Sequence, residues 1–113
     1  MRQDGKLDYV EMAGGDLPAT KAFYQRAFGW RFTDYGPDYA AFAEGLDGGF
    51  YRSDAAAPPL AVLFAEDLEA MRARVADAGG TVTREIFRFP GGRRFHFRDP
   101  AGNEVAVWGD PQD

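Results

Sequence analysis

His96 is the chain's single imidazole and its one side chain with an ordinary pKa near neutrality. It stands in Arg93-Arg94-Phe95-His96-Phe97-Arg98, where aromatic and polar residues alternate as on a half-buried strand. Successive strand side chains point to opposite faces, so Phe95 and Phe97 face a core while Arg94, His96 and Arg98 share the other side. Glu11 lies in a second alternating run, Leu7 to Met12, in which Val10 and Met12 are the apolar set and Tyr9 and Glu11 face away from them. In the functional reading the carboxylate and the imidazole, on different modules, share a face and form a metal-free acid–base pair, Glu11 orienting His96 to take a proton next to a carbonyl. In the alternative reading His96 is a strand residue on a wet face and Glu11 bonds a neighbouring arginine.

Two further runs obey the same parity. In Leu60 to Phe64, Ala61 and Leu63 point to a helix, leaving Leu60, Val62 and Phe64 on the opposite face; in Glu104 to Trp108, Val105 and Val107 are core, leaving Glu104, Ala106 and Trp108. The expected ligand-binding set is therefore Tyr9, Leu60, Val62, Phe64, Glu104, Ala106 and Trp108, with Glu11 and His96 as the candidate catalytic pair. An apolar lining with a few directed polar groups suits a small organic molecule, and the rings offer a stacking surface for a flat one.

Composition narrows the chemistry. The chain has no cysteine, which excludes disulfides, thiolate zinc sites, iron–sulfur clusters and a cysteine nucleophile. One histidine excludes a two-His metal site within one chain. The 113 residues suffice for one domain, and a hydrophobic content of 45% with 15% aromatics can build its core. A net charge of −5 argues against a nucleic-acid partner. No apolar run approaches the ~20 residues of a membrane span, and polar residues 1–6 lack a signal-peptide pattern, so the expected location is the cytoplasm. Charge is uneven: residues 84–98 carry five arginines against Glu85, a balance of +4. That stretch is either a solvated strand face or an anion-attracting rim.

These runs need elements to hold them. Pro18 to Phe28 reads as a helix capped by Asp16 and closed by Gly29, with Ala19, Ala22, Phe23, Ala27 and Phe28 as its apolar stripe. Strands follow from Trp30 to Thr33, Tyr39 to Ala43 and Gly49 to Arg52, with Gly45, Asp47 and Gly48 turning between the last two. After a linker at Ser53 to Pro59 the pattern restarts. Leu60 to Phe64 is a strand. A helix opens at Glu66-Asp67 and runs to about Ala78 with Leu68, Met71 and Val75 inward, and Gly79-Gly80 stop it. Strands begin at Thr81, Arg93 and Glu104, the last after a tight reversal at Asp99 to Asn103. The basic stretch from Phe87 to Arg94 is a flexible loop, read either as a lid or as a long hairpin connection. An offset of 51 sets Asp16-Leu17 over Asp67-Leu68 and Gly29 over Gly80, an internal repeat of strand–helix–strand–strand–strand. The expected class is α+β.

Tyr9-Val-Glu-Met12, Asp16-Leu17, Ala22-Phe-Tyr24, Phe28-Gly-Trp30, Glu66-Asp-Leu68, Ala78-Gly-Gly80 and Asp99-Pro-Ala-Gly-Asn103 together resemble the vicinal oxygen chelate superfamily. That group holds glyoxalase I, bleomycin-resistance proteins and extradiol dioxygenases, and the likeness is to its single-domain bacterial glyoxalase-like branch, over residues 7–109. The resemblance implies two βαβββ modules, at about 7–52 and 60–109, curled as a mixed sheet around a cleft, and a homodimer. In metal-dependent relatives His or Glu ligands occupy positions that here are Tyr9, Leu60 and Ala106. The fourth falls between Ala41 and Phe50, where Glu44 and Asp47 are the carboxylates. Leu60 and Ala106 have no donor atom, and a phenol with a pKa of about 10 is a poor ligand at neutral pH. The expectation is a fold that keeps the cleft without metal or other cofactor. It would sequester or present a small organic molecule, or act as a lyase or isomerase through Glu11 and His96 or an atypical metal site. A partner-docking module with no small ligand is the third reading.

Overall fold

Two aspartates start the two helices. In the computed structural model, which describes residues 2–111, Asp16 Oδ1 accepts the Ala19 N–H at 3.4 Å ahead of α1 (Leu17–Phe28), and Asp67 Oδ1 accepts the Ala70 N–H at 3.0 Å ahead of α2 (Leu68–Asp77). The strands are β1 (Leu7–Gly15), β2 (Thr33–Asp34), β3 (Tyr39–Glu44), β4 (Leu46–Arg52), β5 (Leu60–Phe64), β6 (Thr81–Phe89), β7 (Gly92–Arg98) and β8 (Glu104–Gly109). The class is α+β, with strand and helix following each other as the repeat requires. The chain divides into two compact units, one of residues Tyr9–Leu60 and one that joins the first eight residues to those from Ala61 onward.

In the unit Tyr9–Leu60 the strand order is β2-β3-β4-β1. β1 runs parallel to β4, Glu11 opposite Gly49 and Met12 opposite Phe50, and β3 pairs antiparallel with β4. Leu17, Phe42 and Phe50 form the buried core, with Val10, Met12, Tyr24, Trp30 and Phe32 packed against them. Val10 and Met12 thus take the side the alternation assigned them. The helix stripe differs from the expected one. Phe23 and Phe28 are 54% and 64% exposed, and Ala19 and Ala27 are exposed too. Leu17 and Tyr24, seven residues apart and so on one helical face, point inward instead. The Tyr24 ring stacks on Trp30 at 4.7 Å and meets Phe50 at 5.1 Å. The Leu17–Tyr24 face is the one that meets the buried Phe50 and the Trp30 ring, and those contacts set the rotation of the helix. Trp30 and Phe32 join this cluster, which leaves only Thr33 and Asp34 for β2. Asp47 and Gly48 are not turn residues: they pair with Ala43 and Phe42, and Gly45 alone makes the reversal.

In the other unit the order is β5-β8-β7-β6. β5 is parallel to β8, Val62 opposite Ala106 and Phe64 opposite Trp108; β7 is antiparallel to β8, His96 opposite Ala106. Ala65, Leu68, Phe95 and Val107 are the core, joined by Leu63, Met71, Val75, Ile86 and Phe97. The α2 stripe is the expected one. Gly29 and Gly79 carry the left-handed backbone that ends each helix, at φ 72° and 106°. The second of these is one residue earlier than the repeat predicted, because α2 ends at Asp77, two residues short of the equivalent of Phe28. The lid reading of the basic stretch gives way to a hairpin: Arg88 pairs with Arg93 and Phe89 with Gly92, leaving only Pro90 and Gly91 in the turn. The aromatic–arginine alternation carries both strands further than a glycine count suggested. The Asp99 turn is as read, with the Asn103 N–H on Asp99 Oδ1 at 2.8 Å. Among the described residues no helix is long and apolar enough to cross a membrane.

Candidate functional site

On the sheet face away from α2, β5 and β8 set Phe64 beside Trp108, ring centroids 5.3 Å apart and inclined at 67°. The Trp108 indole N–H donates to Asp8 Oδ2 at 2.9 Å, which fixes the ring. The Arg2 guanidinium lies 4.5 Å from the Phe64 centroid and 5.1 Å from that of Trp108, steadied by Asp110 at 2.6 Å. The Phe89 ring of β6 lies 6.5 Å from that of Trp108, inclined at 57°. Val62 and Ala106 are buried on the same face, as register requires.

His96 is buried beside this surface, 8% exposed. Its Nδ1 lies 3.2 Å from Glu104 Oε2, and its Nε2 is buried with no hydrogen-bond partner among the described residues. Around it stand Phe87 at 5.9 Å, Arg84 opposite it on β6, and Arg94 two residues earlier on its own strand. The Arg84 guanidinium carbon lies over the Phe87 ring, 3.7 Å from its centroid, and Arg98 approaches Glu104 at 3.8 Å. Burial pushes the imidazole below its ordinary value of 6.5; the Arg94 and Arg84 charges act in the same direction, and the bond and charge of Glu104 oppose them. A neutral ring bonded to an acceptor-only carboxylate must carry its proton on Nδ1, so Nε2 presents a lone pair.

That shift makes stability depend on pH. In the unfolded chain His96 titrates near 6.5. Between that value and the lower folded one, the unfolded state binds more protons, so stability falls as the pH drops through this window and is fully present above it. Because no other histidine exists, urea midpoints measured from pH 7.5 to 5.5 should decline below about 6.5, and His96→Gln should flatten the curve. A midpoint that rises on acidification would show the opposite shift.

Tyr9 and Glu11 meet a residue the sequence reading did not single out. Tyr39 Oη donates to Glu11 Oε2 at 3.2 Å and therefore accepts from Tyr9 Oη at 2.5 Å. Burial pushes both phenols up from their usual 10, Tyr39 the further. The Tyr39 ring lies over Gly49: a Cβ there would come within 2.5 Å of ring carbon Cε2. Tyr9 also borders an open cavity of about 470 Å³, entirely within this unit, with Tyr35, Phe42, Glu44 and Asp47 among its walls. Glu44 is occupied at its rim by the Arg31 N–H, 2.9 Å away. Leu60 is half-buried at the start of β5. Glu11 and His96 thus each have a polar neighbour in their own unit: Tyr39 for the first, Glu104 for the second. Tyr39 was detectable in principle, since Tyr39-Ala40-Ala41-Phe42 alternates with Ala40 and Phe42 buried. What sequence could not give was its reach over a glycine.

The repeat also locates the fourth position to which the resemblance assigned a metal ligand. Its offset equates Glu11 with Val62, and their parallel partners are Gly49 and Ala106. The four positions are then Tyr9, Gly49, Leu60 and Ala106. They do not fit a divalent ion. Three have no donor side chain. The fourth is a phenol held to another phenol, and its raised pKa disfavours the phenolate that would ligate. Among the described residues no three His, Asp or Glu side chains cluster to hold a metal.

The family model for the Glyoxalase/Bleomycin resistance protein/Dioxygenase superfamily matches residues 6–107. No curated protein matches the sequence. Among solved structures, the Mn(II)-bound glyoxalase from Novosphingobium aromaticivorans is 25% identical with a TM-score of 0.67; the match covers all of this chain and 43% of that one. A glyoxalase/bleomycin resistance protein/dioxygenase superfamily member from Vibrio splendidus 12B01 superposes with a TM-score of 0.71 at 16% identity, over 93% of this chain and 100% of that one. Methylmalonyl-CoA epimerase from Mycobacterium tuberculosis does so at 0.67 and 17%, over 100% and 92%. At such identities the last two speak to the fold alone.

Proposed function

The chain belongs to the glyoxalase/bleomycin resistance protein/dioxygenase superfamily, and from that premise we propose that it binds a small, flat organic molecule on the aromatic face of Trp108, without a metal ion. The observation that carries this reading is the Phe64–Trp108–Phe89 surface, with a buried, unpartnered imidazole nitrogen beside it. Buried polar atoms are nearly always paired, and an unpaired acceptor among rings is what a bound molecule would satisfy. The absence of donor atoms at Gly49, Leu60 and Ala106 supports binding without metal. The homodimer implied by the resemblance is part of the reading, with Phe23 and Phe28 exposed on α1 in keeping with it.

A thermal-shift screen of small aromatics, thiol adducts and glycopeptide antibiotics tests it. A ligand at a hundred times its Kd stabilises by about 2.7 kcal/mol, a rise of several degrees for a domain of this size. Trp108→Phe should keep part of that rise and Trp108→Ala should lose it, with circular dichroism confirming that both fold. A screen without any rise, or a stoichiometric divalent ion in protein purified without added metal, would sink the proposal.

One observation favours a second reading, a lyase or isomerase of glyoxalase type. Glu104 holds His96 with the Nε2 lone pair presented, the arrangement of a general base. The imidazole would take a proton from carbon next to a carbonyl and return it to the same or the opposite face. Glu11, bonded to Tyr39, is the second carboxylate of this reading. Solvent deuterium entering a bound carbonyl compound in wild type, and not in His96→Gln, would support it; equal exchange in both would end it.

A further inference from the structure

We infer that the Arg2 side chain is an internal occupant of the Trp108 face, and that the molecule bound there is a planar cation that displaces it: a guanidinium, an amidinium or a protonated aromatic amine. The inference rests on the reading above and names the ligand class and the gate of the same face. The position of Arg2 carries it. Its guanidinium lies 4.5 Å from the Phe64 centroid and 5.1 Å from that of Trp108, so one flat cation already uses these rings. Asp110 supplies the counter-charge, accepting Nη1 on Oδ1 at 2.6 Å and Nη2 on Oδ2 at 3.1 Å, a paired bond that an amidinium can copy. The Asp110 bond, and with it the charges of Asp110 and Asp8, outweigh burial and raise the guanidinium pKa. Both carboxylates stay behind when Arg2 leaves, Asp8 held by the Trp108 indole N–H at 2.9 Å, and an anionic rim around bare rings attracts a cation.

Arg2 is placed to leave. The arm is anchored closer to β5: Asp4 Oδ1 accepts the Glu66 N–H at 2.9 Å, the Gly5 N–H donates to the Phe64 carbonyl at 2.7 Å, and the Phe64 N–H donates to that of Lys6 at 3.1 Å. Arg2 lies beyond these anchors, and its side chain and that of Asp110 are 44% and 57% exposed. Ion pairs so wet are weak, and a cation on an exposed ring adds little more. Its departure opens a place that faces solvent and already fits a guanidinium.

The full chain and its Arg2→Ala variant, titrated with benzamidine, benzamide and benzoate, test this; the probes are flat rings bearing a cation, a neutral amide and an anion. Trp30 and Trp108 are the two tryptophans. The Trp108 indole N–H resonance, identified by its loss in Trp108→Phe, reports this face, and that of Trp30 serves as reference. Benzamidine should move the Trp108 resonance. Its affinity should rise about tenfold in Arg2→Ala, where no occupant has to be displaced. In that variant benzamide and benzoate should bind at least about fivefold more weakly than benzamidine, and added salt should weaken benzamidine. A further Asp110→Asn change should remove most of its advantage over benzamide. In the unaltered protein the Arg2 side-chain protons, shifted by the two rings, should return to their ordinary positions as benzamidine saturates; should the variant fail to fold, this signal decides. Unchanged or lower benzamidine affinity in Arg2→Ala would mean that Arg2 only covers the rings. That result, benzamide binding as tightly as benzamidine, or Arg2 signals that stay in place during binding overturns the inference. If benzamidine leaves both proteins untouched while another aromatic gives a Trp108-dependent rise, the ligand class and the gate are wrong and the binding function stands. If no aromatic gives a rise in either protein, both readings fall.

Discussion

Gly49→Ala should destabilise the protein by about 2–3 kcal/mol, the upper range for forcing extra volume into a packed site. The added methyl would sit within 2.5 Å of the Tyr39 ring. β4 cannot move away, since its backbone is paired to β1 on one side and β3 on the other. Tyr39 must therefore swing out, and its bonds to Tyr9 and Glu11 break with it. The pair of phenols then loses the partner that each supplies. Tyr39→Ala alone should also cost stability through the same lost contacts. The double variant Gly49→Ala/Tyr39→Ala should cost clearly less than the two single losses added together, because the clash exists only when both side chains are present. Urea midpoints of the four proteins measure this coupling. Strict additivity would mean that Tyr39 does not lie over Gly49.

The same region marks the boundary between what residues reveal in order and what they reveal only in space. Strand parity is a local property, and it placed side chains well: Val10 and Met12 under α1, Phe95 and Val107 under α2, and Phe64, Trp108 and His96 on the faces away from the helices. Helix caps are local too, and Asp16 and Asp67 sit where a short polar side chain before an apolar run should. The errors came where two local rules competed. On α1 the alanine and phenylalanine spacings described a plausible stripe, and the winner was the face whose ring could stack on Trp30. In the basic stretch two glycines suggested a loop, and pairing across β6 and β7 prevailed. The carboxylate at His96 could not be read at all from one chain. Glu11 and Glu104 both had the right parity, and only register, Arg98 opposite Glu104 and His96 opposite Ala106, puts Glu104 diagonally beside the imidazole.

Neighbouring substitutions on β7 should therefore have opposite consequences. Phe95 is completely buried, against Leu68, Ala65 and Val107. Truncating it leaves a cavity the size of a phenyl ring in a core of few residues, and Phe95→Ala should lose about 3–5 kcal/mol. For a chain of this length that is a large share of total stability, since whole domains are held by only about 5–15 kcal/mol. Phe95→Leu should recover more than half of the loss, as most of the volume returns. In the folded fraction, the Trp108 face should still bind whatever the unaltered protein binds, because Phe95 points away from it. His96→Gln, one residue along, should cost little stability at pH 7.5 and abolish the Nε2-dependent part of binding. Urea midpoints and ligand titrations on these variants make a single comparison. If Phe95→Leu proved stable but blind to ligand, or His96→Gln unstable but competent, the strand would be facing the other way, and the site would have to be sought beneath α2.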